Sequence, residues 1–203
     1  MTKHSAMFGT VLGFLALASP ASAADYEIDA SHSHVGFAVR HMMVSSTRGE
    51  FGGVTGTVKL DDKDLSRSKI EATIDAKSID TRDAKRDEHL RSPDFFDVAQ
   101  HPTITFRSAR IRRKGDSYLV TGDLTMRGVT KSVTLVASAP TPEVKDPWGG
   151  VRRGLTATAK LNRKDFGISW NKALDSGGLV VGEEVQVQLD VELKQKQTAT
   201  AAR

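Results

Sequence analysis

The chain has 203 residues, of which 38% are hydrophobic and 27% are charged, and it contains no cysteine. This composition is too apolar and too mixed in charge for a disordered chain, and the lack of cysteine excludes a disulfide scaffold, an iron–sulfur cluster and a thiolate zinc site. The formal net charge of +4 is spread along the chain, so a sequence pI near 9.4 does not by itself indicate nucleic-acid binding.

The first 23 residues have the three parts of a secretory signal peptide. Lys3 and His4 form a short basic start, residues 7–18 form an apolar run, and the Ala-Ser-Ala sequence at 21–23 is a small-residue cleavage site. The apolar run is shorter than the roughly 20 residues that a membrane-spanning helix needs, and no later segment is apolar enough to span a bilayer. We therefore expect cleavage after Ala23 and export of the mature chain.

Apolar and polar residues alternate along most of the remaining chain. Such alternation is typical of strands with one buried and one solvent-facing side. At least seven or eight strands with short connections predict one all-β domain over residues 24–193, either an antiparallel sandwich or a barrel. Residues 194–203 lack an apolar period and are predicted to form a flexible tail. The alternating segments begin near Val35, Val54, Ile70, Ile104, Val120, Val133, Leu155 and Val185.

Residues 81–92 depart from this pattern. The segment is polar and is followed by a proline, which cannot continue a helix. Asp80 or Thr81 can cap a first helical turn, and Asp87 and Arg91 are spaced for an i,i+4 ion pair. We therefore predict a short, solvent-exposed helix inserted between two strands.

Four side chains near the start of the domain are candidate metal ligands: Asp29, His32, His34 and His41. On a strand, the imidazoles of His32 and His34 would point to the same side. A third and a fourth ligand are not evident, and imidazoles at such positions also bond to the backbone or to water. A histidine-dependent metal protein is therefore an alternative, and no metal site is predicted.

Catalytic motifs are not found in the sequence. It has no G-x-S-x-G element and no glycine-rich phosphate loop. Glu183 and Glu184 come before the last alternating segment, and we interpret them as solvated loop residues rather than as an acid–base pair. We predict that the protein is not an enzyme.

Small side chains are frequent on the apolar faces of the predicted strands, for example Gly56, Ala72 and Ala159. A closed barrel of about eight strands has an interior that side chains just fill or that holds one small ligand. Because aromatic residues make up only 6% of the chain, small inward residues favour an internal ligand cavity. The alternative is a flat sandwich whose two layers approach closely.

Several motifs resemble those of the YceI-like family. They occur in order across nearly all of residues 24–193, and the run RDEHLRSPDFFD is the most specific of them. The motifs are YEID at 26–29, RGEF at 48–51, RDEHLRSPDFFD at 86–97, HPTITF at 101–106, GDLT at 122–125, DPWGG at 146–150 and RKDFGI at 163–168.

The resemblance implies an extended, lipocalin-like antiparallel β-barrel with one short helix, located in the bacterial periplasm. It implies binding of a long-chain isoprenoid or a similar lipid, such as a quinone, in an elongated pore, and it supplies no catalytic motif and no cofactor beyond such a lipid. Phe95 and Phe96 are expected to fasten the helix to the barrel. The alternative function is a stress-response or interaction module that serves a membrane cytochrome, and the choice between a monomer and a homodimer stays open.

One apolar face of each strand is expected to line this pore. The candidate lipid contacts are Phe37, Val39, Ala72, Ile74, Phe106, Leu135, Ala137, Leu155, Ala157 and Val187.

Overall fold

The computed structural model describes residues 23–175 and 177–196, so nearly all of the predicted signal peptide and residues 197–203 of the predicted tail lie outside the described residues. The described residues form twelve strands, one α-helix and three short 3₁₀ helices. No helix among them has the length and hydropathy needed to cross a membrane. The strands are β1 (Ala24–Ile28), β2 (His34–His41), β3 (Ser45–Phe51), β4 (Thr55–Leu60), β5 (Lys69–Asp75), β6 (Ile79–Asp80), β7 (Thr103–Lys114), β8 (Ser117–Met126), β9 (Val129–Ala137), β10 (Val144–Lys145), β11 (Val151–Asn162) and β12 (Val181–Gln195), with α1 at Ala84–Arg91 and 3₁₀ turns at Leu65–Arg67, Ala76–Ser78 and Arg163–Phe166.

Eight strands close into an antiparallel barrel in the order β1-β4-β5-β7-β8-β9-β11-β12, with β12 returning to β1. The predicted barrel of about eight strands is therefore confirmed, and the chain does not form the flat sandwich. The connection from β8 to β9 is the two-residue turn Arg127-Gly128, with φ angles of 50° and 71°. Two left-handed residues are what a tight hairpin turn requires.

The longest strand, β12, has 15 residues and divides one of its edges between two partners. One edge pairs with β11 over its length, while the other pairs with β2 up to Asp190 and then with β1 from Leu193 to Gln195. The last strand thus extends two residues into the segment predicted as a tail. The strands β2, β3 and β6 branch from the barrel wall at β12, and we call them the arm.

Three apolar clusters pack the molecule. The first lies where the arm and α1 meet the barrel and includes Phe51, Ile79 and Phe95, the second surrounds Tyr26, and the third is built around Ile111. Burial, together with the hydrogen bond between its hydroxyl and a carboxylate oxygen, raises the pKa of Tyr26 to about 12.

The side chains between these clusters are not fully buried. Ile28, Ile70 and Leu189 each contact two of the three clusters, yet all three side chains are only half-buried. A side chain in a close-packed barrel interior would have no accessible surface, because such interiors leave few voids larger than a water molecule. These three side chains therefore retain accessible surface, and the packing between the clusters is incomplete.

The helix α1 is shorter than predicted and is capped by a different residue. Asp83 has an extended backbone, and its carboxylate accepts hydrogen bonds from the amides of Lys85 and Arg86, both at 3.1 Å. An acidic side chain before the first turn satisfies amides that have no partner within the helix. The helix itself is confirmed, and the predicted caps, Asp80 and Thr81, are wrong.

The predicted ion pair between Asp87 and Arg91 is also wrong. Asp87 is buried and accepts hydrogen bonds from the amide of Thr81 at 2.9 Å and from its hydroxyl at 2.5 Å. Arg91 donates instead to the carbonyl oxygens of Lys77 and Ile79, at 2.8 and 2.7 Å. The helix is therefore solvated on its outer face, and on its inner face it is hydrogen-bonded to β6 and to the residues that flank β6.

Candidate ligand-binding cavity

An apolar cavity of about 280 Å³ lies where the arm, α1 and the segment after β11 meet the barrel wall. This volume is close to the lower limit of the about 300–1,000 Å³ that is usual for small-ligand pockets. Its lining is almost entirely apolar, which suits a hydrocarbon rather than a polar ligand. The apolar lining residues are Phe37, Val39, Phe51, Leu90, Phe95, Phe96, Met126, Leu161, Ile168, Trp170, Val180, Val181, Val185 and Val187.

Three phenylalanine rings form one side of the cavity. The ring of Phe37 lies 5.7 Å from that of Phe51, which in turn meets Phe96 edge-to-face at 5.4 Å. Gly49 permits this arrangement, because a Cβ there would lie 2.5 Å from the Phe37 ring and 2.9 Å from the carbonyl oxygen of Asp80. The absence of a side chain at Gly49 of β3 therefore leaves the space that the Phe37 ring occupies.

A second aromatic group fixes Trp170 in the cavity wall. The imidazole of His89 meets Trp170 edge-to-face at 4.9 Å and Phe95 at 5.0 Å. Its Nε2 lies 2.9 Å from a carboxylate oxygen of Asp94, which orients the ring. As expected, Phe95 and Phe96 fasten the helix, since both pack in the first apolar cluster.

Arg163 is the most deeply buried charged side chain in the cavity wall, with 4% exposure. Its guanidinium donates hydrogen bonds to the carbonyl oxygens of Gly182 at 2.8 Å, Ile168 at 2.7 Å and Val181 at 3.4 Å. Burial lowers its pKa, and Glu183 opposes this effect electrostatically. The side chain joins the segment after β11 to the start of β12 and places a positive charge beside the apolar wall.

Three of the predicted lipid contacts, Phe37, Val39 and Val187, meet in this cavity. They come from β2 and β12, which pair side by side, with Phe37 opposite Val187. Alternation along the two strands places these side chains on the same face.

The other predicted contacts lie along the barrel interior. Ala137 and Ala157 are buried in the third cluster, with Phe106 and Leu135 packed against it. Four of the seven therefore belong to one packed region of the wall.

The remaining three lie on β5 and β11. Ile74 packs against the first cluster and Leu155 against the second. Ala72 is on β5 between Gly56 of β4 and Phe106 of β7. All seven lie outside the cavity lining.

Several cavity residues were not identified from the sequence. Leu161 and Val185 belong to the same alternating runs as Leu155 and Val187, so extending those runs would have found them. Trp170 lies in a segment without regular structure, where no periodicity indicates the direction of a side chain.

The four candidate metal ligands named from the sequence do not converge on one site. β2 begins at His34 and His32 lies in the preceding turn, so the prediction that both imidazoles share one side of a strand is wrong. His34 Nδ1 lies 3.8 Å from a carboxylate oxygen of Glu50, whereas His41 lines the cavity. The ligand atoms of Asp29, His32 and Glu192 do lie within 4.8 Å of one another.

A guanidinium already occupies that cluster. Arg152 Nη1 contacts the carboxylates of both Asp29 and Glu192, and its Nε lies 3.0 Å from Asp146. A hydrogen bond from the Ser31 hydroxyl, together with that from Arg152, holds the pKa of Asp29 well below its usual range. The cluster is a network of ion pairs in which a metal would have to compete with the arginine.

Glu183 and Glu184 lie within β12 and not in a loop, contrary to the sequence interpretation. Glu183 pairs with Lys164 at 2.5 Å and Glu184 with Lys160 at 3.0 Å. Each carboxylate thus has a cation as its partner, as is usual on a solvent-facing sheet surface.

A larger, open groove of about 1070 Å³ lies on the outer face of the sheet, across β9, β11, β12, β2 and β3. Its lining mixes both charges with amides and small side chains, including Arg48, Glu50, Lys160, Gln188 and Asp190. Such a mixed surface does not select one class of ligand. The internal cavity does, because its lining is apolar.

A closed antiparallel barrel with an apolar cavity beside its wall has the architecture of lipocalin-like proteins. The profile of the YceI-like domain matches residues 26–193, and the chain belongs to this family. It is 42% identical over 168 residues to protein YceI of Escherichia coli O157:H7, covering 82% of this chain and 87% of that one. It is also 42% identical over 177 residues to a UPF0312 protein of Pseudomonas aeruginosa, covering 86% and 89%.

Solved structures share the fold. BcnA of Burkholderia cenocepacia superposes with a TM-score of 0.69 at 25% identity, covering 81% of this chain and 98% of that one. The YceI protein of Campylobacter jejuni gives a TM-score of 0.65 at 24% identity, covering 78% and 90%. A polyisoprenoid binding domain from Saccharophagus degradans gives 0.61 at 16% identity, covering 84% and 98%. The resemblance seen in the sequence motifs is therefore confirmed.

Proposed function

We propose that the chain is an exported periplasmic protein that binds a long-chain isoprenoid, or a similar amphiphilic lipid, inside its barrel and shields it from water. In this role it carries or sequesters the lipid and catalyses no reaction. The apolar cavity carries the proposal, because an unfilled hydrocarbon-lined space has no use for a polar substrate and is stabilised when apolar surface occupies it.

The barrel interior supports a ligand longer than the cavity itself. The half-buried residues Ile28, Ile70 and Leu189 indicate further space between the clusters, and an extended chain would gain contacts along this inner wall. At about 0.8 kcal/mol per buried CH₂, each five-carbon unit contributes at most roughly 4 kcal/mol, so a few units offset the cost of association. The similar fold of a polyisoprenoid binding domain is consistent with this ligand class.

Ligand identity is tested by mass spectrometry of organic extracts of the protein purified from the periplasm of its own host, with metal analysis of the same sample. We expect one isoprenoid lipid in near-stoichiometric amount. Protein that carries no lipid and does not bind geranylgeraniol would refute the proposal. A stoichiometric metal in place of a lipid would support the alternative based on Asp29, His32 and Glu192.

Binding can be followed with the protein's own fluorescence. The chain has two tryptophans, of which Trp148 is 86% exposed and Trp170 lines the cavity. Trp148→Phe therefore leaves a single reporter inside the proposed site. We expect geranylgeraniol to shift the emission of Trp170. A small polar alcohol such as glycerol, which has no hydrocarbon chain, should leave the emission unchanged.

Export is tested by N-terminal sequencing of the periplasmic protein, which we expect to begin at Ala24. A periplasmic form that begins at Met1 or Thr2 would contradict the predicted cleavage.

A further inference from the structure

Three consecutive large apolar side chains occupy the loop between β2 and β3. Met42, Met43 and Val44, which we call the hairpin tip, are 42%, 62% and 76% exposed. Isolated exposed apolar residues are common on proteins, whereas contiguous ones mark interaction surfaces. The patch continues onto the neighbouring loop, where Leu179 is 37% exposed and the carbonyl oxygen of Val180 accepts a hydrogen bond from the Met42 amide at 2.8 Å.

The backbone holds the hairpin tip in a conformation that methionine does not favour. Met42 and Met43 have φ angles of 49° and 62°, in the left-handed region that glycine and asparagine adopt most easily. The Val44 amide donates to the carbonyl oxygen of His41 at 3.1 Å, and Arg40 Nη2 donates to that of Met43 at 2.6 Å. Bulky apolar residues are thus fixed at an exposed turn in a strained backbone, a feature that clusters at functional sites.

The hairpin tip lies beside the apolar cavity. Val39, Arg40 and His41, which directly precede it, line the cavity. Val180 and Val181, on the loop bonded to the tip, line it as well. A surface that contacts the tip is therefore next to the proposed lipid site.

Two exposed cations lie on the segments joined to the hairpin tip, Arg40 on β2 and Lys172 on the neighbouring loop. Arg40 is anchored to the carbonyl of Met43, and the carbonyl of Lys172 accepts a hydrogen bond from the Val180 amide at 2.9 Å. Asp175 adds one carboxylate to the same loop. The two cations exceed it by one charge, so the sum of these three groups is positive. Each cation near an anionic bilayer strengthens association by about 1 kcal/mol, which is about fivefold.

We propose that the hairpin tip docks the protein on an anionic lipid surface, where the cavity exchanges its ligand with the bilayer. This inference rests on the proposed lipid-binding function and names the partner of the same site. Apolar side chains at the centre and cations at the edge are what an interfacial membrane contact requires. A second copy of the chain fits less well, because a symmetric contact would place the cations of one tip against those of the other.

Flotation of the mature protein with vesicles tests the docking. The double variant Met43→Asn, Val44→Ser removes apolar surface and gives the left-handed position a residue that suits it. The matched control is Val144→Ser, which replaces a side chain that is 60% exposed on β10. We expect wild type and control to float with vesicles of phosphatidylethanolamine and phosphatidylglycerol, the double variant to bind about tenfold less, and added salt or phosphatidylcholine vesicles to weaken binding.

A second measurement separates docking from ligand binding. In a Trp148→Phe background, Trp170 fluorescence reports binding of geranylgeraniol from solution and its uptake from vesicles. We expect the double variant to keep its affinity in solution and to take up the lipid from vesicles more slowly. If wild type binds no geranylgeraniol, the proposed function fails, whereas the flotation result still decides the docking.

Three results would overturn the docking surface. They are failure of wild type to float with anionic vesicles, equal flotation of wild type and the double variant, and a dimer that the double variant dissociates without any vesicle binding. The last result would assign the hairpin tip to a second copy of the chain.

Discussion

A tryptophan placed at either of two neighbouring positions of the β11–β12 ladder distinguishes cavity from packed wall. Val187 lines the cavity and pairs with Ala159. Ala157 is 4% exposed, is packed in the third cluster and pairs with Leu189, the next inward residue of β12. The same large side chain therefore enters the cavity at one position and the third apolar cluster at the other.

The expected effects differ in kind. In Val187→Trp the indole occupies the cavity and deprives the lipid of contact for two or three carbons, at a cost of about 2 kcal/mol, or about thirtyfold in affinity. Its free energy of unfolding changes by less than about 1 kcal/mol, because the added atoms enter unfilled space. Ala157→Trp overpacks the wall and costs about 1–3 kcal/mol, which lowers Tm by about 2–12 °C for a domain of this size.

The assay measures both quantities on both variants. Lipid retained after gel filtration is quantified by mass spectrometry, and stability is measured by denaturant titration. If Val187→Trp retains lipid at the wild-type level and loses as much stability as Ala157→Trp, the cavity is not where the lipid lies. A loss of lipid from Ala157→Trp without a loss of stability would show that the third cluster borders the pore.

Three other predictions follow from the geometry. Asp87→Ala leaves the buried amide and hydroxyl of Thr81 without an acceptor and should lower the free energy of unfolding, measured by urea titration, by about 1–3 kcal/mol. Glu88→Ala, on the exposed face of the helix, should change it by less than about 0.5 kcal/mol. Equal effects of the two substitutions would contradict a helix with one buried and one exposed face. Because the fold lowers the pKa of Asp29, its contribution to stability is complete above about pH 4 and is lost as the pH falls towards the folded-state pKa. Acid titration should show this loss, and Arg152→Gln should flatten it; an unchanged acid profile would contradict the ion-pair network. Gly49→Ala should displace the adjacent phenylalanine ring towards the cavity and weaken geranylgeraniol binding, and an unaltered affinity measured by Trp170 fluorescence would show that the ring accommodates the new methyl group.

The barrel was predictable because its signal is local. Alternation such as that from Val185 to Leu193 requires only that one side of a strand be buried, and each barrel strand carries it. The turn at Arg127-Gly128 carries a weaker local signal, because only Gly128 is a residue type that favours a positive φ. Neither signal states which strands lie side by side, so the division of one edge of β12 between β2 and β1 could not be predicted.

The candidate site was predictable only in part. Alternation gives the face of a strand but not the surroundings of its side chains. Val187 and Phe37 line the cavity, whereas Ala157, selected by the same pattern, lies in the third apolar cluster, and all three stay predictions as lipid contacts. The rest of the cavity wall depends on tertiary contacts. Arg163 and Trp170 reach it from a segment whose position is fixed by hydrogen bonds to carbonyl groups and by ring contacts, and no short-range pattern encodes either.

The place of β12 in the barrel determines when the barrel can close. β12 is the last strand to be synthesised, and it pairs with β11, β2 and β1. Until residue 195 has left the ribosome, these three strands lack a neighbour and the cylinder has an open seam. Contacts between the first and last strands are also the slowest to form, because they join the most distant parts of the chain. However far the earlier strands have paired, the cylinder therefore cannot close before β12 has been synthesised.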